Sequence, residues 1–123
     1  MRQAVLALVG ATIHAGVIAW QNPEGAAIIV LRALLDVTTV ATGACTLDVG
    51  LTATGATTAS DTLLDGIDAN GAVALFDSLD PSLDTGSNAH AQKLAAGKWV
   101  TVKEASGNAT GLVGNLYIQY VLA

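Results

Sequence analysis

Apolar side chains alternate with small or polar ones along most of this chain, in strand-length pieces divided by turn sequences. Cys45, Leu47, Val49 and Leu51 take turns with Thr46, Asp48, Gly50 and Thr52, which puts the first set on one face of a strand and the second on the other. Val100 and Val102 share a face within Lys98 to Lys103, and Leu116, Ile118, Tyr120 and Leu122 share one in the closing piece Leu112 to Leu122. Ala26 to Leu35 is long enough for a helix, but Ile28, Ile29 and Val30 are β-branched. Ile29, Leu31, Ala33, Leu35 and Val37 also form an unbroken row at period two. A long strand is expected here, continuing through Val37 to Val40.

Turn sequences separate these pieces. Asn22-Pro23-Glu24-Gly25 follows a strand over Val17 to Gln21, with Pro and Gly where a type I turn favours them. Thr42-Gly43 precedes the Cys45 strand, Asn70-Gly71 precedes a short strand over Ala72 to Phe76, and Ala105 to Thr110 turns the chain before its last strand. Thr52 to Ser60 holds no large side chain and reads as a surface loop. Ser60-Asp61 is placed to cap one helical turn, Thr62 to Asp65, which Gly66 would stop. That turn would lay Leu63, Leu64 and Ile67 over an open end of the core, and Asp77 to Ala91 reads as a long polar loop. Roughly six to eight strands and one helical turn predict an all-β fold, an antiparallel β-sandwich of jelly-roll type. Residues 1–15 form an apolar N-terminal arm or first strand, and 16–123 a single β-sandwich domain.

The N-terminus superficially resembles a signal peptide, since Arg2 precedes the apolar run Ala4 to Ile13. The positive region is a single residue, however, His14 interrupts the run, and cleavage after Ala15 would put Ile13 where a small residue belongs. Ala4 to Trp20 includes Gly10, Thr12, His14 and Gly16 and falls short of the roughly 20 apolar residues that span a bilayer, so no membrane association is expected.

Composition changes the picture in one respect. The chain is 52% apolar and 12% charged with net charge −5 over 123 residues, and its mean hydropathy is +0.55. A domain of this size leaves much of its surface wet, so such a composition points to surface covered by another protein. Aromatic residues are only 4% of the chain, which leaves the core to Val, Leu, Ile and Ala. Arg2, Arg32, Lys93, Lys98 and Lys103 are scattered and form no patch for a run of phosphates, so nucleic acid is not expected as a partner. Cys45 is the only cysteine; it falls on the inward row of its strand and reads as an inert core thiol.

Candidate chemistry is sparse. Between Arg32 and Lys93 lie eight carboxylates and no basic residue, and Asp61, Asp65, Asp68, Asp77, Asp80 and Asp84 crowd the loop-rich middle. Asp68, Asn70 and Gly71 match the third, fifth and sixth positions of a calcium loop, but Gly66 would be the first ligand and Asp77 stands where Glu is usual. Solvated, turn-capping aspartates are the preferred reading over a calcium site. No nucleophile motif surrounds Ser60, Ser78, Ser82 or Ser87, and His14, Cys45 and His90 lie far apart for zinc. Asn108-Ala109-Thr110, a glycosylation pattern, reads as a turn. The expectation is a protein that is not an enzyme and carries no cofactor or metal. Trp20 and Trp99 are read as core or interface anchors in preference to a sugar-stacking platform.

The phrases Ala19-Trp20-Gln21-Asn22-Pro23-Glu24-Gly25-Ala26, Leu35-Asp36-Val37-Thr38-Thr39, Leu47-Asp48-Val49-Gly50, Gln92 to Val100, and Gly111-Leu112-Val113-Gly114 before Tyr117 resemble capsid decoration, or cement, proteins of tailed bacteriophages. The resemblance runs from about Ala15 onward and rests on strand-and-turn phrases. It implies a compact β-sandwich, commonly a homotrimer, made in the host cytoplasm. Such a protein sits on the exterior of the virion capsid and bridges major capsid protein subunits. It transfers no residue role. From the residues themselves, Met1, Arg2, Gln3, Val5, Leu6 and Leu8 of the arm, with Trp20 and Trp99, are the expected partner interface. The competing classes are a carbohydrate-binding or tail-fibre-type module, with Trp20, Trp99, Tyr117 or Tyr120 exposed, and a secreted surface-layer subunit.

Overall fold

A computed structural model describes residues 1–13, 17–54, 58–80 and 91–123. The period-two stretches are strands: β1 (Arg2–Val9), β2 (Ile18–Gln21), β3 (Ile28–Thr39), β4 (Cys45–Thr52), β5 (Leu64–Asp68), β6 (Ala74–Asp77), β7 (Gln92–Leu94), β8 (Trp99–Gly107) and β9 (Val113–Leu122). One helical turn, α1 (Gly10–Ile13), follows β1.

The strands form two antiparallel sheets. The first has the order β1-β9-β3-β6, with β7 pairing the Ile28–Val30 end of β3 and β6 its Leu34–Val37 end. The second has the order β2-β8-β4-β5. The pairs are nested: β1 bonds to β9, β2 to β8, β3 to β6 and β7, and β4 to its neighbour β5. Successive strands of the first half alternate between sheets, so each needs a partner from the distant end of the chain.

An apolar inner face on each sheet gives the reason to stack, because strands bury alternate residues. Leu35, Val37, Leu116 and Ile118 of the first sheet join Leu47, Val49, Val100 and Val102 of the second in one core cluster. These eight are almost wholly removed from water. Aliphatic residues dominate the core, and Trp20 and Tyr120, with ring centroids 5.5 Å apart, link the sheets where β2 faces the β1 side. Asn22 ties the adjacent end together. Its Oδ1 accepts from the Glu24 N–H at 2.9 Å, while its Nδ2 donates toward the carbonyls of Ala26, Leu94 and Ala95.

Several expectations are corrected. Thr62 to Asp65 is not helical: the Leu63 N–H donates to the Val49 carbonyl at 2.9 Å, and β5 follows, with Leu64 opposite Val49 and Ile67 opposite Leu47. An isolated helical turn is costly to nucleate, whereas extension along β4 buries Leu63, Leu64 and Ile67 and gives their backbone partners. Gly66 stops no helix. It supplies the left-handed residue (φ 65°) of a bulge in β5, held by its N–H donating to Asp48 Oδ1 at 2.8 Å. The chain's helical turn instead joins β1 to the rest of the fold, with Ile13 buried.

The period-two row read along β3 does not keep one face. Val30 faces Tyr120 and Arg32 faces Gln119, which leaves Leu31 as an extra residue. One added residue swaps the faces of everything beyond it. Ile28 and Val30 are therefore buried before the bulge and Ala33, Leu35 and Val37 after it, while Ile29 and Leu31 are only half-buried on the outside. Leu122, grouped on one face with Leu116, Ile118 and Tyr120, ends β9 exposed while those three are buried, and β8 continues through the expected turn to Gly107. The polar loop begins after β6; its residues 81–90 lie outside the described residues.

Gly107 is required twice over. Its φ is 75°, and a Cβ there would lie 1.9 Å from the Ala44 carbonyl oxygen. Gly107→Ala is expected to cost about 2–4 kcal/mol of stability, read from the midpoint of denaturant unfolding.

Candidate interaction surface

The outer face of the first sheet carries apolar side chains in cross-strand rows. Val5 lies opposite Tyr117, and Tyr117 opposite Leu34. Val9 lies opposite Val113, and Ile29 opposite Val121. Ala7, Asn115, Asp36 and Leu75 make a mixed row across all four strands. Val5 is 55% exposed and Leu75 62%, while Val9 and Val113 are exposed as well. The bulge in β3 brings Leu34 onto the face that Ile29 and Leu31 already share before it.

Charge on this surface comprises the Arg32–Asp77 ion pair, Asp36 in the mixed row and Lys93 opposite Ile29. Arg32 Nε donates to Asp77 Oδ1 at 2.9 Å, and its Nη2 bonds the other carboxylate oxygen, which ties β3 to β6. Asp77 Oδ1 also accepts from the Leu79 N–H at 2.9 Å. The Arg32 hydrogen bond holds the Asp77 carboxyl below the usual carboxylate range, and the guanidinium is raised in turn.

Of the eight residues expected at an interface, the structure divides the arm by parity. Residues 2–9 form a paired strand of the first sheet, so this segment is no free arm. Leu8 is fully buried, and Leu6 is half-buried and packs against the core. Met1, Gln3 and Val5 are exposed. Arg2 is exposed but bonded to Glu24, whose other carboxylate oxygen accepts from Tyr120 Oη at 3.2 Å. Burial and the Glu24 carboxylate together raise the Tyr120 pKa, keeping the phenol a donor.

The aromatic residues do not converge. Trp20 and Tyr120 turn inward, Trp99 alternates with the buried Val100 on the outside of the second sheet, and Tyr117 is on the outside of the first. They offer no shared stacking platform. Sequence reasoning named Tyr117 only for a sugar-binding alternative and did not single out Leu34, which lies in the opposite phase to the row read along β3, or Leu75. The available signal was that β3 and β9 are apolar in both phases, which a one-sided strand does not require.

The polar candidates are engaged in structure. Asp68 Oδ1 accepts from the N–H groups of Asn70 (2.9 Å) and Gly71 (3.0 Å), which caps their turn. Asn108 Oδ1 accepts from the Thr110 N–H at 2.9 Å in the turn before β9. Cys45 is buried, and that burial, with Glu104 and Asp68, raises its pKa and keeps the thiol neutral. Among the described residues no three potential metal ligands are grouped and no cavity opens. His14, Ser82, Asp84, Ser87 and His90 lie outside them.

The Asp77 carboxyl titrates lower in the folded chain than in the unfolded one. Its contribution is therefore present above about pH 4 and lost as pH falls through the folded pKa. Asp77→Asn is expected to lower stability by about 0.5–1 kcal/mol at pH 7 and to flatten the acid limb of a stability-against-pH curve. No family model, curated protein or solved structure matches this chain.

Proposed function

We propose that this protein is a structural component of a virion that binds the outside of an icosahedral phage capsid and bridges its major subunits. The sandwich is then of jelly-roll type. The nested pairing supports this, because one long antiparallel ribbon wrapped around a core yields the orders β1-β9-β3-β6 and β2-β8-β4-β5. Shell and lectin domains both use that architecture, and its presence alone selects neither.

The observation that carries the reading is the outer face of the first sheet, where Val5, Tyr117 and Leu34 form a continuous apolar row on a chain with little charge. Buried apolar area contributes about 25 cal/mol per Å², so a few hundred Å² per copy is useful when many copies bind one shell. A protein that binds the assembled shell and not its free subunits stabilises the shell by mass action. The shape of a decorating subunit needs neither catalytic groups nor a cofactor, and the resemblance to phage cement proteins points the same way. The carbohydrate-binding alternative is weakened by the separation of Trp99 from Tyr117, on outer faces of different sheets. The surface-layer alternative has no observation in its favour.

Purified protein is expected to bind mature phage heads saturably and to raise the temperature at which they release DNA. Tyr117→Ser together with Leu34→Ser should weaken binding by roughly tenfold or more while leaving a cooperative unfolding transition. No saturable binding and no change in DNA release would remove this reading.

A further inference from the structure

Beyond that reading, we propose that two copies of this chain join along β1, edge to edge and antiparallel, so that their first sheets continue into each other. β1 is the terminal strand of its sheet, with a neighbour on one side only among the described residues.

Hydrogen-bond parity shows what that free side offers. The Gly10 N–H donates to the Leu112 carbonyl at 2.8 Å, continuing the register in which Leu8 faces Gly114 and Leu6 faces Leu116. In an antiparallel pair, bonded positions alternate with non-bonded ones. The even-numbered residues of β1 therefore direct their backbone groups to β9, and Gln3, Val5, Ala7 and Val9 direct theirs to the open edge. Those four also have exposed side chains.

Open edges in stable proteins are protected by charge, proline, brevity or a bulge. The other edges show such features: β2 has four residues and is soon followed by Pro23, β5 is bulged at Gly66 between Asp65 and Asp68, and β6 is short and carries Asp77. From Gln3 to Val9 β1 has neither a charge nor a proline. It is the long edge left fit for pairing.

A second copy fits this edge. A slip of one residue would set core-facing side chains against outward ones, so only registers that match odd with odd positions are allowed. Among these, placing Leu6 opposite the second copy's Leu6 engages all four outward residues, with Val5 opposite Ala7 and Gln3 opposite Val9. The sole charge, Arg2, then falls beside the other copy's Gly10. Parallel pairing along the same edge would require one copy turned over, its core face level with the other's outer face, so only the antiparallel two-fold arrangement continues both faces.

Sedimentation of the full chain over a wide concentration range is expected to show reversible formation of a species of twice the 12.3 kDa chain mass. Ala7→Pro removes an N–H that β9 does not use; it should stay folded and become single-copy, whereas Leu6→Pro should disrupt β1 itself. Amide exchange gives a second measurement on the unmodified chain. The amides of Gln3, Val5, Ala7 and Val9 should be protected in concentrated and not in dilute solution, and those of Ala4, Leu6 and Leu8 in both. A chain that stays single at every concentration, a species of three copies with those odd amides unprotected, or a dimer that survives in folded Ala7→Pro would overturn the proposal. If the single chain still binds phage heads, the capsid reading stands without the dimer.

Discussion

Two sheets, each apolar on one face, can leave water only by covering one another, and in this chain aliphatic side chains alone do most of that work. Their mutual burial is the constraint on which every other feature depends. The nested pairing follows from it, since β1 and β2 must lie on opposite sheets and can be completed only by β9 and β8. Such pairing is long-range, so chain closure must precede most of the burial that rewards it. The polar fittings serve the same stacking: Asn22 joins the turn after β2 to the segment before β8, and the Arg2–Glu24–Tyr120 cluster fastens the first strand at its entry.

Close approach of backbones explains where glycine is indispensable. At Gly50, buried and on the outside of the second sheet, a Cβ would lie 2.3 Å from Ser60 Oγ, because Ser60 lies directly against that face. The first sheet has no such cover among the described residues on its β1 side. The two outer faces thus differ: one has Ser60 laid against it, and the other presents apolar rows and an edge without a partner among the described residues. That asymmetry gives the molecule a side suited to contact with neighbours.

The site was legible only in outline. Excess apolar content pointed to surface in contact with a partner, and Val5, one of the residues named for that contact, is exposed. Leu6 and Leu8 were not separable from it, because an apolar strand with one buried and one exposed face looks uniform when both faces are apolar. Leu34 was hidden for the same reason.

Alternation along β4, β8 and β9 determined by itself that the fold is all-β and antiparallel, and turn residues such as Asn22 and Asn70 divided the strands, because side-chain period and turn conformation are local properties. Which apolar row faces inward after Leu31, and whether Leu63 and Leu64 extend or coil, was settled by tertiary pairing. A bulge opposite β9 and the open edge of β4 act across the sheet, where no neighbour in sequence reports them. The same holds for the free side of β1: a strand's sequence gives its pattern, and only the sheet order decides which of its backbone groups remain without a partner.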